Sequence, residues 1–368
     1  MIITRTPFRI SFFGGGTDYP AWYLKHGGAV VVTSINKYCY LTCRNLPPFF
    51  AHKFRVVYIK SENTNSIEEI SHPAVRGILK HLEWKNGVEI HHDADLPARG
   101  GMGSSSAFTV GLLHGLYALK GRMISKYQLA LESIHMEQNV LRETVGSQDQ
   151  VSVAVGGLNH IRFLPGGDIN VMPITVTRDR LRELESHLML FYSGIERTAA
   201  KVAGSYVVNI EGKAAQMQAM SALVDQSLSI LTGACKIDEF GKLLHEAWQV
   251  KRRFSEQVSN PKIDDIYDRG RRAGALGGKI LGAGGGGFVL LFVPPDAQRT
   301  VRNALAELVH VPFRFESLGS QVIFFENDED YSSAATDNAS CQFGKAIDLD
   351  LQSDGAGQNV AEKAGQGG

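Results

Sequence analysis

The chain reads as an α/β protein of the α+β kind, folded as two domains. Three observations carry that reading. Its 368 residues exceed what one core ordinarily organises, and 43% of them are apolar, as in a globular protein. Strand-like runs fill the text up to about residue 95, whereas helical periodicity dominates about 104–145 and 197–274. A strand, helix and strand close the patterned text near residue 326. The expected organisation is an N-terminal domain over 1–185, a C-terminal domain over 186–326 and a tail over 327–368. The tail is acidic at first, then rich in Gly, Ala, Ser, Asp and Gln, and has no periodic apolar face.

The elements follow in order. RTPFRISFF, AVVVTSINKYCYLTC, FRVVYIK and GVEIHHDADL are apolar, β-favouring runs between turns marked by Gly and Pro, which predicts strands. LPARGGMGSSSAFT, residues 96–109, is a loop of small residues that opens a helix. Phe108, Leu112, Leu116 and Leu119 recur at helical spacing, and Gly111 and Gly115 share their face, so another element can come close. A second helix starts at Ser125, with Gln128 placed to complete a capping box, and is predicted to run to about Val145. GGLNHIRF, INVMPITV and HLMLFYSG return to strand, and several helices fill 197–274. GGKILGAGGGGFVLLFVPP is a glycine turn between two apolar strands, followed by a helix from Arg299 to Val309 and a last strand, SQVIFF.

Composition excludes several classes of partner. Lys and Arg total 38, as do Asp and Glu, so overall charge favours neither nucleic acid nor a membrane surface. No leader or membrane-length apolar run is legible, which makes a cytoplasmic location the expectation. The cysteines, Cys39, Cys43, Cys235 and Cys341, lack metal-site spacing and read as reduced thiols. His91 and His92 would point to opposite faces of a strand, which disfavours a histidine metal site.

The glycine-serine loop is the first functional signal. Glycines let a backbone approach a ligand, and the N–H groups at a helix start bind phosphate. The loop lacks the Gly-Lys-Ser/Thr ending of a P-loop, so a Walker-type site is excluded. Gly282-Ala283-Gly284-Gly285-Gly286-Gly287 matches G-x-G-x-x-G, but a strand follows it instead of a helix, so the dinucleotide reading fails. A glycine-rich connection packed against the phosphate loop fits better.

Two carboxylates stand out. Glu137 falls in the apolar stripe of Ala130, Ile134 and Leu141, where a carboxylate is costly unless it is paired with an arginine or binds a cation. Asp149 lies twelve residues on, after Gly146, which reads as the helix end. It can cap the next segment, or act with Glu137 in phosphoryl transfer, one carboxylate holding Mg²⁺ and the other the attacking hydroxyl.

RTPFRISFFGGGTDYP, LPARGGMGSSSAF and GAGGGGFV stand in the order of the three motifs of the GHMP kinases, the galactokinase, homoserine, mevalonate and phosphomevalonate kinases. The resemblance covers about residues 3 to 326, and within the superfamily the GGGTDYP form resembles bacterial heptose 7-phosphate kinases. It implies a two-domain fold, an N-terminal ribosomal-protein-S5-like domain and a C-terminal ferredoxin-like domain, with the site between them. In galactokinases the first motif runs Arg, four residues, then Gly-Glu-His-Thr-Asp-Tyr. Arg9 and the run Gly14, Gly15, Gly16, Thr17, Asp18 and Tyr19 take those places here, which implies Arg9 near the transferred group and the run against the sugar. Gly100, Gly101, Gly103, Ser104, Ser105 and Ser106 would wrap the ATP phosphates, Ser105 and Glu137 would hold Mg²⁺, and Asp149 would be the catalytic carboxylate.

The departures carry information too. Gly15 and Gly16 replace the Glu-His of galactokinases, which suggests room for a longer or phosphorylated sugar end. Lys37, Arg44 and Arg197 are candidates to meet a second phosphate. The expected activity is ATP-dependent phosphorylation of the anomeric hydroxyl of heptose 7-phosphate, with another sugar kinase or a non-catalytic sensor on the same fold as alternatives. The expected partners are a sugar phosphate and ATP, without nucleic acid or membrane; a homodimer is compatible with the text.

Overall fold

The computed structural model describes residues 1–195 and 199–326. Arg197 and the whole proposed tail, Cys341 included, lie outside the described residues. The chain begins with β1 (Ile2–Phe13), α1 (Pro20–His26), β2 (Gly28–Asn45), β3 (Phe54–Val57), β4 (Ser61–Thr64), α2 (Pro73–His81) and β5 (Val88–Ala94). Next come α3 (Ser104–Leu119), α4 (Lys126–His135), α5 (Gln148–Val155), β6 (Leu158–Phe163) and β7 (Ile169–Pro173). After α6 (Arg178–Ser186) come β8 (Leu188–Tyr192), α7 (Ala199–Val207), α8 (Ala214–Thr232), α9 (Asp238–Arg252), α10 (Pro261–Arg272), β9 (Gly277–Ile280) and β10 (Phe288–Phe292). The described chain finishes with α11 (Gln298–Ala304), β11 (Val309–His310), β12 (Phe315–Glu316) and β13 (Gln321–Phe325).

The first sheet is organised by β2, whose length lets it serve several partners. It pairs with β1 along one edge, and on the other with β6 through Gly28–Thr33 and β5 through Cys39–Asn45. The helix α3 lies across β1 and β2, and two glycines let it come close, as their spacing implied. A Cβ at Gly111 would stand 3.0 Å from Leu41 and Thr6, and one at Gly115 3.2 Å from Cys43 Sγ. Cys39 and Cys43 are buried beneath it as free thiols, and burial pushes Cys43 up to about 12.

The second sheet runs β11-β8-β10-β9, antiparallel throughout. Its strands come in the chain order β8, helices, β9, β10, α11, β11, which is the ferredoxin-like βαββαβ arrangement. Phe240 of α9 meets Phe12 and Phe13 of β1 edge-on, with centroids 5.4 and 5.0 Å apart, so the two domains share buried aromatic packing.

Three expectations are corrected. The last strand does not complete the second domain: β13 pairs with β1, and β12 with β2, so the chain returns to the first sheet instead of ending within a 186–326 unit. An open β1 edge needs a partner, and a local sequence pattern does not name one. The second helix does not reach Val145 either. It passes into a π turn over Met136–Val140, where the Leu141 amide donates to the Met136 carbonyl five residues back, and Arg142 then takes φ 55°. The late helix stops at Ala304, short of the expected Val309, which belongs to β11 instead.

Candidate active site

Arg9 projects from β1 on the face that Ser11 shares, as the two-residue strand period requires. Its guanidinium grips Asp149 with a fork of two bonds, Nε to Oδ1 at 2.7 Å and Nη2 to Oδ2 at 2.6 Å, and gives Nη1 to the Gly101 carbonyl at 2.6 Å. The Arg9 amide also donates to the Met102 carbonyl, so the phosphate loop is fastened to β1 at two points. Gly103 must be glycine here: it has φ 76°, and a Cβ would stand 3.1 Å from the Arg9 side chain. It caps α3 with no side-chain bond to the first turn, which leaves the Ser104, Ser105 and Ser106 end of the helix available to an anion.

The second glycine loop packs against the first. The Phe288 amide donates to the Gly100 carbonyl, and a Cβ at Gly287 would meet that same oxygen at 2.2 Å. Lys251 reaches the carbonyls of Ile280 and Gly282 at the base of the late loop.

Glu137 sits in the π turn and is fully buried, but among the described residues no arginine pairs with it. Its Oε2 accepts bonds from Ser106 Oγ at 2.9 Å and Gln150 Nε2 at 2.5 Å, while Oε1 is buried with no hydrogen-bond partner. Burial, then the neighbouring Glu143 charge, push its carboxyl up to about 8, against the pull of the bonds from Ser106 and Gln150. The sequence placed Ser105 on the metal with Glu137; the structure turns Ser105 to solvent and brings Ser106 to Glu137. The start of α3 decides which serine faces inward, and one residue of phase reverses the choice. An orphaned buried carboxylate oxygen beside a hydroxyl is hard-oxygen chemistry that suits Mg²⁺ carried in on a nucleotide. Among the described residues no group of three His, Cys, Asp or Glu gathers to hold a metal.

The Gly14 to Tyr19 turn divides differently from expectation. Thr17 is fully buried and works on the turn itself, donating to the Gly14 carbonyl at 2.8 Å and accepting from the Ala29 amide at 3.1 Å. Tyr19 packs edge-on against Tyr206 of α7 instead of opening toward a ligand. Gly14 and Gly16 lie against the Ala29 carbonyl and the Phe254 ring, so Gly16 opens no room. Asp18 is buried, accepting from the Gly16 amide at 2.9 Å and the Gln148 amide at 3.3 Å. Burial raises its pKa, the Gly16 bond opposes that, and the Asp149 charge adds to it. Gly146 turns out not to end a helix; a Cβ there would strike the Asp18 carboxylate at 1.9 Å. Arg44, a candidate for a second phosphate, is bound to Glu89 at 2.5 Å.

Lys279, Gln150, Ser11 and Gln148 were not singled out from the sequence. Lys279 has the clearest signal in hindsight, as a lysine inside the apolar run that leads into the late glycine loop. From β9 it crosses to the Phe12 carbonyl at 2.8 Å, and Arg9 and Asp18 are the charges it feels.

The chain matches the family descriptions "GHMP kinases N terminal domain" over residues 69–157 and "GHMP kinases C terminal" over 231–311. It therefore belongs to the GHMP kinase superfamily, whose members are ATP-dependent phosphotransferases, and it is a sugar kinase of that superfamily. It is 27% identical to D-glycero-alpha-D-manno-heptose 7-phosphate kinase of Campylobacter jejuni, across 83% of this chain and 93% of that one. It is 24% identical to the galactokinase of Pyrococcus furiosus, across 83% and 92%. The solved structure of a D-glycero-D-manno-heptose 1-phosphate kinase from Bacteroides thetaiotaomicron shares the fold, with a TM-score of 0.72 at 22% identity, covering 89% of this chain and 100% of that one.

Proposed function

We propose that the chain transfers the γ-phosphoryl group of ATP to the anomeric hydroxyl of D-glycero-D-manno-heptose 7-phosphate, giving the 1,7-bisphosphate and ADP. The single observation that carries the chemistry is the Arg9–Asp149 fork against the Gly101 to Gly103 loop, with the orphaned Glu137 oxygen on the other side of α3's first turn. The choice of acceptor rests on the likeness to the Campylobacter jejuni relative over nearly its whole length.

The residues divide the work. The amides at the start of α3, with Gly101 and Gly103, bind the nucleotide phosphates. Glu137 and Ser106 hold Mg²⁺, which when bound neutralises charge on the phosphate oxygens. Asp149 accepts a hydrogen bond from the attacking hydroxyl and orients it toward the γ-phosphorus. Both its oxygens already serve Arg9, which fixes its plane and favours orientation over proton capture. The new O–P bond forms as the bond to the β-phosphate oxygen breaks, and Arg9 offsets the charge on the group in flight. The hydroxyl proton leaves to solvent. Lys37 and Arg197 stay the candidates for the second phosphate.

The reading is tested by ADP release with Mg-ATP against heptose 7-phosphate, heptose 1-phosphate, free heptose, fucose, galactose and mevalonate. Turnover confined to heptose 7-phosphate is expected. Turnover confined to another sugar would keep the catalytic assignment and replace the acceptor, and silence with every sugar would overturn the reading.

A further inference from the structure

Only one glycine of the Gly14-Gly15-Gly16 run leaves usable room. A Cβ at Gly14 would lie 1.8 Å from the Ala29 carbonyl oxygen, and one at Gly16 2.7 Å from the Phe254 ring. A Cβ at Gly15 meets nothing closer than 3.7 Å, and the two atoms at that distance are Ser11 Oγ and Gln148 Nε2. Ser11 is 5% exposed, and its Oγ has no hydrogen-bond partner. The Gln148 Oε1 is likewise buried and unpartnered. Buried polar atoms are normally paired, so the orphaned Ser11 Oγ, with the Gln148 side-chain amide across the same space, calls for a ligand group that can both donate and accept.

The electrostatics narrow the choice. Among the described residues no cationic atom lies within 4 Å of the Gly15 Cβ position, and the Gln148 backbone N–H donates to the Asp18 carboxylate. A phosphate there would face the buried Asp18 carboxylate, whose charge Lys279 already answers from the Phe12 carbonyl. A hydroxyl would satisfy the serine and the glutamine together.

We propose that the space over Gly15, between Ser11 Oγ and the Gln148 side chain, holds one neutral hydroxyl of the acceptor sugar and so sets acceptor specificity, while any second phosphate binds elsewhere. This rests on the sugar-kinase reading of Asp149. It replaces the expectation that the glycine turn receives the phosphorylated end of the sugar.

The test takes the best acceptor of the wild-type panel and its singly deoxygenated analogues, with Ser11→Ala, Gln148→Met and Gly15→Ala. Ser11→Ala and Gln148→Met should each raise the acceptor KM roughly 5- to 30-fold, the range of one lost hydrogen bond. The ATP KM should move less than about twofold. Gly15→Ala should raise the acceptor KM by intruding on the space. One deoxy analogue should be as poor with wild type as the normal acceptor is with the variants, and should lose nothing further in them. Melting curves check the fold, and Gln148→Met, at a half-buried position, keeps the test alive if Ser11→Ala does not fold. A wild-type enzyme active on a sugar, with both polar variants parent-like toward every analogue, would overturn the inference alone. A wild type silent on every sugar would overturn the kinase reading and this inference with it.

Discussion

Asp149 and Glu137 are the residues on which the proposed chemistry stands, and each makes a separable prediction. Asp149→Asn keeps the shape but gives up the charge that Arg9, only 4% exposed, is folded around. We expect kcat to fall about 10²–10³-fold, the usual loss for one electrostatic group in a phosphoryl-transfer site. A kcat near the parent value in a folded variant would remove Asp149 from the mechanism. Glu137 makes a pH prediction. Its folded pKa is raised to about 8 from an ordinary 4.5, so without ligand the folded state favours its protonated form. That contribution is in full below about 4.5 and is lost as pH rises toward 8. Mg²⁺ takes the ionised form, so Mg-nucleotide affinity should climb with pH up to about 8 and then level. Glu137→Gln should flatten that climb, as titration calorimetry at pH 6, 7 and 8.5 would read. The burial of Glu137 was legible, because a lone carboxylate in an apolar stripe is conspicuous. The inward turn of Ser106 was not, because it depends on helix phase, and neither were the turn-holding roles of Thr17 and Tyr19, because motif position does not say which way a side chain points.

At the scale of elements, the two glycine loops form one device. The Gly100 carbonyl receives the Phe288 amide and lies where a Cβ of Gly287 would stand, and Gly287 has φ 90° besides. Gly287→Ala therefore meets both strain and a backbone clash. It should lower stability by more than about 1 kcal/mol and weaken nucleotide binding by displacing the phosphate loop. Urea midpoints and nucleotide titration would check the two losses, and a variant unchanged in both would show that the loops are not coupled. That the glycine run connects two strands was readable, since FVLLFVPP cannot start a Rossmann helix. Its packing on Gly100 was a sound expectation from the same text. The π turn was not readable: the Ala130, Ile134, Glu137 and Leu141 stripe fits an uninterrupted α-helix, and only tertiary packing decides where the spiral widens. The partner of β13 was hidden for a similar reason, since its match lies across the chain at Ile2–Arg5.

At the scale of the molecule, Lys279 joins the two sheets through a charge that neither domain would hold alone. β1 and β2 lose register between Ser11 and Phe13, and it is the carbonyl of the intervening Phe12 that Lys279 takes from β9 of the other sheet. Burial, reinforced by the Arg9 charge and only partly relieved by Asp18, brings the ammonium down to about 7 from 10.5. A cation whose folded pKa is depressed binds fewer protons folded than unfolded between those values, so its cost is full below about 7 and disappears as pH rises toward 10.5. Lys279→Met removes that titration, although it also leaves the Phe12 carbonyl without its donor. Whatever the resulting offset, parent stability relative to the variant should therefore improve steadily from pH 7 to pH 10, the reverse of the trend Glu137 imposes at lower pH. Bound nucleotide should favour the charged lysine, so adding Mg-ATP should shrink that pH dependence in the parent and leave the variant unchanged in this respect. Denaturant unfolding of both proteins across that range, with and without nucleotide, reads the effect directly, and a pH-independent difference would mean that Lys279 stays fully charged and that the interdomain tie is an ordinary hydrogen bond.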